Sequence, residues 1–216
     1  MKLMLNRFYE FLSRPLFGPA RIVLTILVVP LVLSFTQPLW RISMTAPQYP
    51  KGLYMDIYPY KLVGGNDGND IHEINTLNHY IGMHKLDKTA AADLDWIPFA
   101  LGALVLMALR TAVIGTVRDL LDLVVVTSYV SVFAFSRFVY RLWVFGHDLD
   151  PHAPVKVAPF LPVIFGHKTV ANFETYSYPQ AGSYLLGVFA TGIAIVVLWH
   201  LIVGRRRAVA EASSSP

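Results

Sequence analysis

The chain alternates long apolar stretches with polar, turn-rich ones. Four apolar runs stand out: Ile22 to Trp40, Trp96 to Gly115, Leu120 to Trp143 and Ala181 to Gly204. Each approaches the roughly 20 residues that an α-helix needs to cross a hydrocarbon core of about 30 Å. The pattern predicts an all-α membrane protein with four transmembrane helices at 22–40, 96–115, 120–143 and 181–204. The first run contains Pro30, and its uninterrupted part, Ile22 to Phe35, has the length of a signal-peptide core. No small-x-small cleavage site follows it, and Pro38 and Trp40 stand where one belongs. A retained anchor is the expectation.

The polar stretches carry patterns of their own. "RISMT" and "GLYMDIY" alternate apolar and polar residues, as half-buried strands do. "APQYP" between them is a proline-bounded turn, and "GGNDGND" a turn cluster without the ligand spacing of a calcium loop. Next comes "HEINTLNHYIGMH". Ile71, Ile74, Leu77 and Ile81 recur at helical steps, and so do His72, Thr76, His79 and Met83. An amphipathic helix is predicted, with Asp70 and Glu73 spaced as a capping box. These elements add a small α+β extracytoplasmic loop region at 41–95. A second outer loop covers 144–180.

Charge orients the chain. Lys2, Arg7, Arg14 and Arg21 precede the first run, Arg110 and Arg118 flank the turn at 116–119, and Arg205 to Arg207 follow the last run. Most acids lie in the two long loops. By the positive-inside rule, the basic segment 1–21 and the basic, serine-rich tail 205–216 are cytoplasmic, and both long loops are periplasmic. Trp40, Trp96 and Trp143 then mark the outer interface. Arg137 and Arg141 are expected to snorkel to headgroups, and Arg110 to pair with Asp122. Gly187 and Gly192, with Gly102 and Ala103, suit close helix packing.

Composition narrows the chemistry. Of 216 residues, 55% are hydrophobic and 15% charged, with a net charge of +4 and no cysteine. Thiolate zinc sites and iron–sulfur clusters are excluded. The basic residues gather at the chain ends, and no basic stripe interleaved with aromatics occurs in a polar domain, so no nucleic-acid partner is expected. No nucleophile elbow, phosphate loop or HExxH is present, and a non-enzymatic role is expected. Six of seven histidines lie in the predicted outer loops with Met44, Met55 and Met83. Imidazole and thioether suit copper. Loop histidines equally well bond backbone carbonyls. His79, Met83 and His147 are the candidate ligands. His200, beside Trp199 in the last run, is the candidate axial ligand for a pigment or haem.

"PLWRISMTAPQYPKGLYMDIY", "EINTLNHYIGM" and "FGHDLDPHAPVKV" resemble segments of small, poorly characterised four-span bacterial membrane proteins encoded near nitrous-oxide reductase maturation genes. The resemblance spans both loops and the runs between them. It implies an inner-membrane location and either copper handling or electron supply for an extracytoplasmic enzyme, with a periplasmic electron-transfer or copper protein as partner. The matched positions include His79, Met83 and His147. His72, His84, His152 and His167 fall outside the shared pattern. Two functional expectations follow. One is a non-catalytic subunit of a respiratory or photosynthetic membrane complex, contacting other membrane subunits and the bilayer, with lipid or pigment as candidate occupants of its grooves. The other is a copper-handling accessory protein.

Overall fold

A computed structural model describes residues 9–87, 92–170 and 173–214. Lys2 and Arg7, part of the expected cytoplasmic basic segment, lie outside the described residues, as do the last two residues of the tail. The helices are α1 (Gly18–Leu33), α2 (Asn69–Ile81), α3 (Trp96–Val113), α4 (Val117–His147) and α5 (Ala181–Ser214). The strands are β1 (Trp40–Ala46), β2 (Tyr49–Ile57), β3 (Leu62–Gly64), β4 (Gly166–Val170) and β5 (Phe173–Pro179). Four helical stretches are long and apolar enough to cross a membrane: Gly18–Thr36, Trp96–Val113, Val117–His147 and Ala181–Gly204. The chain divides into two compact units.

The first unit takes the described residues of Met1–Val32, Ala100–Val130 and Leu185–Pro216. On α1, Ala20, Leu24, Leu27 and Leu31 are buried at helical spacing, while Ile22, Ile26 and Val29 on the other side are exposed. A helix apolar all round belongs in an apolar medium. Pro30 sits inside α1, which continues through it to Leu33. Gly192 of α5 lies against the Leu27 side chain, where an added Cβ would come within 2.5 Å of a Leu27 methyl. This is the close packing expected of small residues in apolar helices.

The turn between α3 and α4 is closed by a reciprocal capping pair. The Thr116 N–H donates to Asp119 Oδ2 at 2.8 Å, and the Asp119 N–H donates to Thr116 Oγ1 at 3.3 Å. Arg110 pairs with Asp119 at 2.9 Å rather than with Asp122 as expected. The cap turns the Asp119 carboxylate back over the turn, within reach of Arg110. The stretch before α1 joins the same turn through Leu16 N–H to Gly115 O and Val117 N–H to Arg14 O.

The second unit, Leu33–Phe99 with Ser131–Tyr184, contains a five-stranded antiparallel sheet in the order β3-β2-β1-β5-β4. The alternation in "RISMT" and "GLYMDIY" becomes β1 and β2. Leu53, Met55 and Ile74 form a core with Ile42, Met44 and Leu77, so α2 lays its apolar stripe on the sheet. The sheet is larger than the expected loop region, because residues 166–179 supply two strands and β5 pairs with β1 along its length.

Three expectations need correction here. The first apolar run does not stay helical to Trp40. The helix ends in a 3-10 turn at Ser34–Thr36, and Trp40 opens β1. Gln37 is extended (φ −113°, ψ 147°), as the residue before a proline prefers. No side chain caps α2, because Gly68 precedes it in a left-handed conformation. Asp70 instead turns inward, 2% exposed, and accepts the Tyr54 N–H at 3.0 Å, while Glu73 accepts the Tyr49 hydroxyl at 2.6 Å. Arg137 and Arg141 do not simply extend away from α4. Both reach one carboxylate, Asp93, with Arg137 Nη2 at 3.1 Å from Oδ1 and Arg141 Nε on Oδ2.

Candidate functional site

Helix α2 ends at Gly82, whose φ of +79° closes the last turn. The Met83 N–H donates to Asn78 O at 2.8 Å, and Asn78 Nδ2 donates to His84 O at 3.1 Å. This end is stitched to the segment after α4. The Asp150 N–H donates to Gly82 O and the Val155 N–H to Tyr80 O, each at 2.9 Å, and His84 Nε2 lies 2.9 Å from Asp148 Oδ2. The two long loops therefore meet at the histidine-rich end of α2. Gly146 permits a second close approach. Its carbonyl accepts the Phe160 N–H at 2.9 Å, and a Cβ at this position would overlap the Phe160 carbonyl.

The three candidate copper ligands lie on the segments so joined. His79 is exposed on the last turn of α2, with its ring 6.4 Å from Tyr80. Met83 is half-buried just past the cap. His147 ends α4, stacked on Trp143 at 4.6 Å, with Nδ1 3.0 Å from the Trp143 carbonyl. A carbonyl only accepts, so Nδ1 carries the proton and Nε2 keeps its lone pair. This backbone bond fixes the ring as carbonyl partners fix metal-binding imidazoles. The His79 ring sits beside Tyr80, and the Met83 backbone N–H bonds the Asn78 carbonyl. Among the described residues no three His, Cys, Asp or Glu side chains gather as a metal-binding group. His152 pairs with Asp150 at 3.3 Å, and His167 on β4 stacks on Tyr176. The His152 backbone N–H, with the His152 ring and then His79, holds the Asp150 carboxyl below the usual carboxylate range.

His200 is 2% exposed in α5, within the first unit. Its Nδ1 donates to Val196 O at 2.9 Å, and its Nε2 accepts the Phe17 N–H at 3.2 Å. The Phe17 ring stacks on it at 4.5 Å. Both nitrogens are thus engaged in hydrogen bonds, and the one ring lone pair, on Nε2, is taken by the Phe17 N–H rather than offered to an axial metal. In this arrangement His200 anchors the chain before α1 onto α5.

Other polar constellations carry no signal in the sequence pattern. Arg41 and Asp56 stand opposite each other across β1 and β2 and form a bidentate pair at 2.6 Å for both bonds. The Asp56 side chain is 9% exposed, and the guanidinium lies 4.2 Å over the Tyr54 ring. The hydrogen bonds that Arg41 donates to Asp56 raise the Arg41 pKa. The Trp40 indole N–H donates to Ser177 Oγ at 2.7 Å, and Ser177 Oγ donates to Ile164 O. The residues Arg41 and Asp56 were visible in the strand alternation, and cross-strand register was the missing information.

Among the described residues, four helices long and apolar enough to cross a membrane combine with a small antiparallel sheet, an architecture compatible with a multi-pass membrane protein. No family model, no curated protein and no solved structure matches the chain.

Proposed function

We propose that this protein is a non-catalytic accessory subunit of a bacterial energy-transducing membrane complex, respiratory or photosynthetic. In this reading it sits in the inner membrane with both termini cytoplasmic and the loops at 41–95 and 144–180 periplasmic. The observation that carries it is the bareness of α4. Only 11% of the most apolar stretch of α4 is buried by the rest of the chain, against 28–33% in the other three spans. Val125, Tyr129 and Val132 form one exposed stripe on it, with Tyr129 75% exposed. A large aromatic and β-branched face left open on a 31-residue helix suits packing against a neighbouring subunit.

Purification from the native membrane in mild detergent, with mass spectrometry of co-purifying chains and metal analysis, tests this. The expected result is a stable complex, with a photo-crosslinker at Tyr129 or Val132 captured by another chain. A lone monomer carrying stoichiometric copper would overturn it.

The junction of α2 with the segment after α4 favours a second reading, a copper-handling or electron-supply accessory protein for an extracytoplasmic copper enzyme. His147 keeps an Nε2 lone pair there, near the segment bearing His79 and Met83. Under this reading, Cu(I) binding is lost in the His79→Ala/His147→Ala double variant while the fold is retained.

A further inference from the structure

The outer half of α4 carries a groove of about 450 Å³, lined by Phe135, Ser136, Val139, Tyr140 and Trp143 with Leu161 from the following segment. These helix positions recur at three- and four-residue steps. At about 1.5 Å per residue, the slot runs along the helix for about 12 Å. Ser136 is its one hydroxyl-bearing aliphatic residue, and the rest of the lining is apolar or aromatic. Tyr140 and Trp143 stack with their centroids 6.4 Å apart.

Charge borders this slot on one side. The Arg137 guanidinium lies 5.8 Å from the centroid of the Tyr140 ring that lines it. Arg137 and Arg141 share the single carboxylate of Asp93, so two cations are balanced by one anion. Among the described residues the cluster keeps a net charge of +1, and its arginine side chains are 38% and 34% exposed. An apolar slot parallel to a membrane-length helix, edged by an uncompensated guanidinium, is complementary to an amphiphile with an anionic head.

We infer that this groove binds a diacyl phospholipid with an anionic headgroup. One acyl chain lies in the groove along Ser136 and Val139, and the phosphate meets the Arg137 guanidinium at the groove's Tyr140 edge. Arginine suits that contact because its planar fork pairs with phosphate oxygens. The aromatic pair at the groove fits the level where chains give way to headgroups. The site requires only that α4 crosses a bilayer, and it stands independently of the subunit reading.

The test uses the full chain in mild detergent, with native mass spectrometry against phosphatidylglycerol and phosphatidylcholine bearing identical acyl chains. One uncompensated cation predicts a preference of about fivefold for phosphatidylglycerol. Arg137→Gln/Arg141→Gln should bring the two lipids level. Ser136→Trp should fill the slot and weaken both. Asp93→Asn should raise the preference by about a further fivefold, a gain that a misfolded chain would not produce. Glycerol phosphate, which has the head without the chains, should bind far more weakly than the lipid. Equal retention of both lipids by the native sequence would overturn the assignment. So would a preference that survives loss of both arginines, or a photo-crosslinker at Val139 that captures a protein chain in native membranes instead of lipid.

Discussion

The backbone N–H of Asp150 donates to the carbonyl of Gly82 at 2.9 Å, joining the last turn of α2 to the segment that follows α4. Gly82 takes a left-handed conformation and leaves no room for a side chain, because a Cβ there would lie 2.9 Å from both Asp150 N and Asp150 O. One glycine thus ends the helix and admits the second loop.

Replacing Gly82 with alanine should therefore loosen both features. The positive φ and the close approach together predict a loss of about 1–3 kcal/mol. Thermal unfolding followed by circular dichroism in detergent measures the loss. Amide exchange should rise at Asp150 and Val155, while α1 and α5 keep their protection.

Arg41 and Asp56 form a bidentate pair with the carboxylate largely buried. Asp56→Asn should cost about 1–3 kcal/mol, below the range for fully buried pairs because the arginine side chain is 40% exposed. Arg41→Lys should lose part of this too, since an ammonium cannot make both parallel bonds. A double-mutant cycle in denaturant separates the pair from its surroundings.

Two limbs of pH dependence follow from the second unit. The Asp150 carboxyl titrates below its ordinary value of about 3.9, so its contribution is present above that pH and is lost as pH falls through the lowered value. Asp150→Asn should remove this acid limb. The Tyr49 hydroxyl is raised above its ordinary value of about 10 by its bond to Glu73, and Tyr176 is raised by its bond to Glu174. Their contributions are present below pH 10 and disappear as pH climbs through the raised values. Tyr49→Phe should flatten the alkaline loss in melting temperature, and an unchanged alkaline limb in Tyr49→Phe/Tyr176→Phe would refute the assignment.

His200→Leu should remove the bond that the Phe17 N–H donates to Nε2 and cost about 1 kcal/mol. His200→Gln, whose amide oxygen can accept that N–H, should recover part of the loss. An absorbance scan of native-membrane protein checks the alternative role, for which a haem or pigment band would have to vanish in both variants.

The four apolar runs, the strands at "RISMT" and "GLYMDIY", and the helix through "HEINTLNHYI" were all legible in the sequence. Each is encoded by a repeat of two or of three to four residues, a local property of the chain. The end of α1 was misjudged because apolar residues continue past it, while Pro38 and the demands of β1 stop the helix earlier. Residues 166–170 and 173–179 show no alternation strong enough to announce strands; β5 becomes one by pairing with β1, and β4 by pairing with β5.

Partner choice lay beyond such patterns. Arg110 had Asp119 and Asp122 within reach by sequence, and the cap at Thr116 decided for Asp119. Arg137 and Arg141 were visibly one turn apart, and the approach of Asp93 made them a shared ion cluster. By itself the sequence determined the number of apolar helices, the amphipathic face of α2 and the position of the histidines. The tertiary structure alone decided which loop meets which, which charges pair, and which histidine nitrogens stay free. Periodicity records the geometry of neighbours along the chain, whereas hydrogen bonds and ion pairs between distant segments depend on approach distances and directions that exist only after packing.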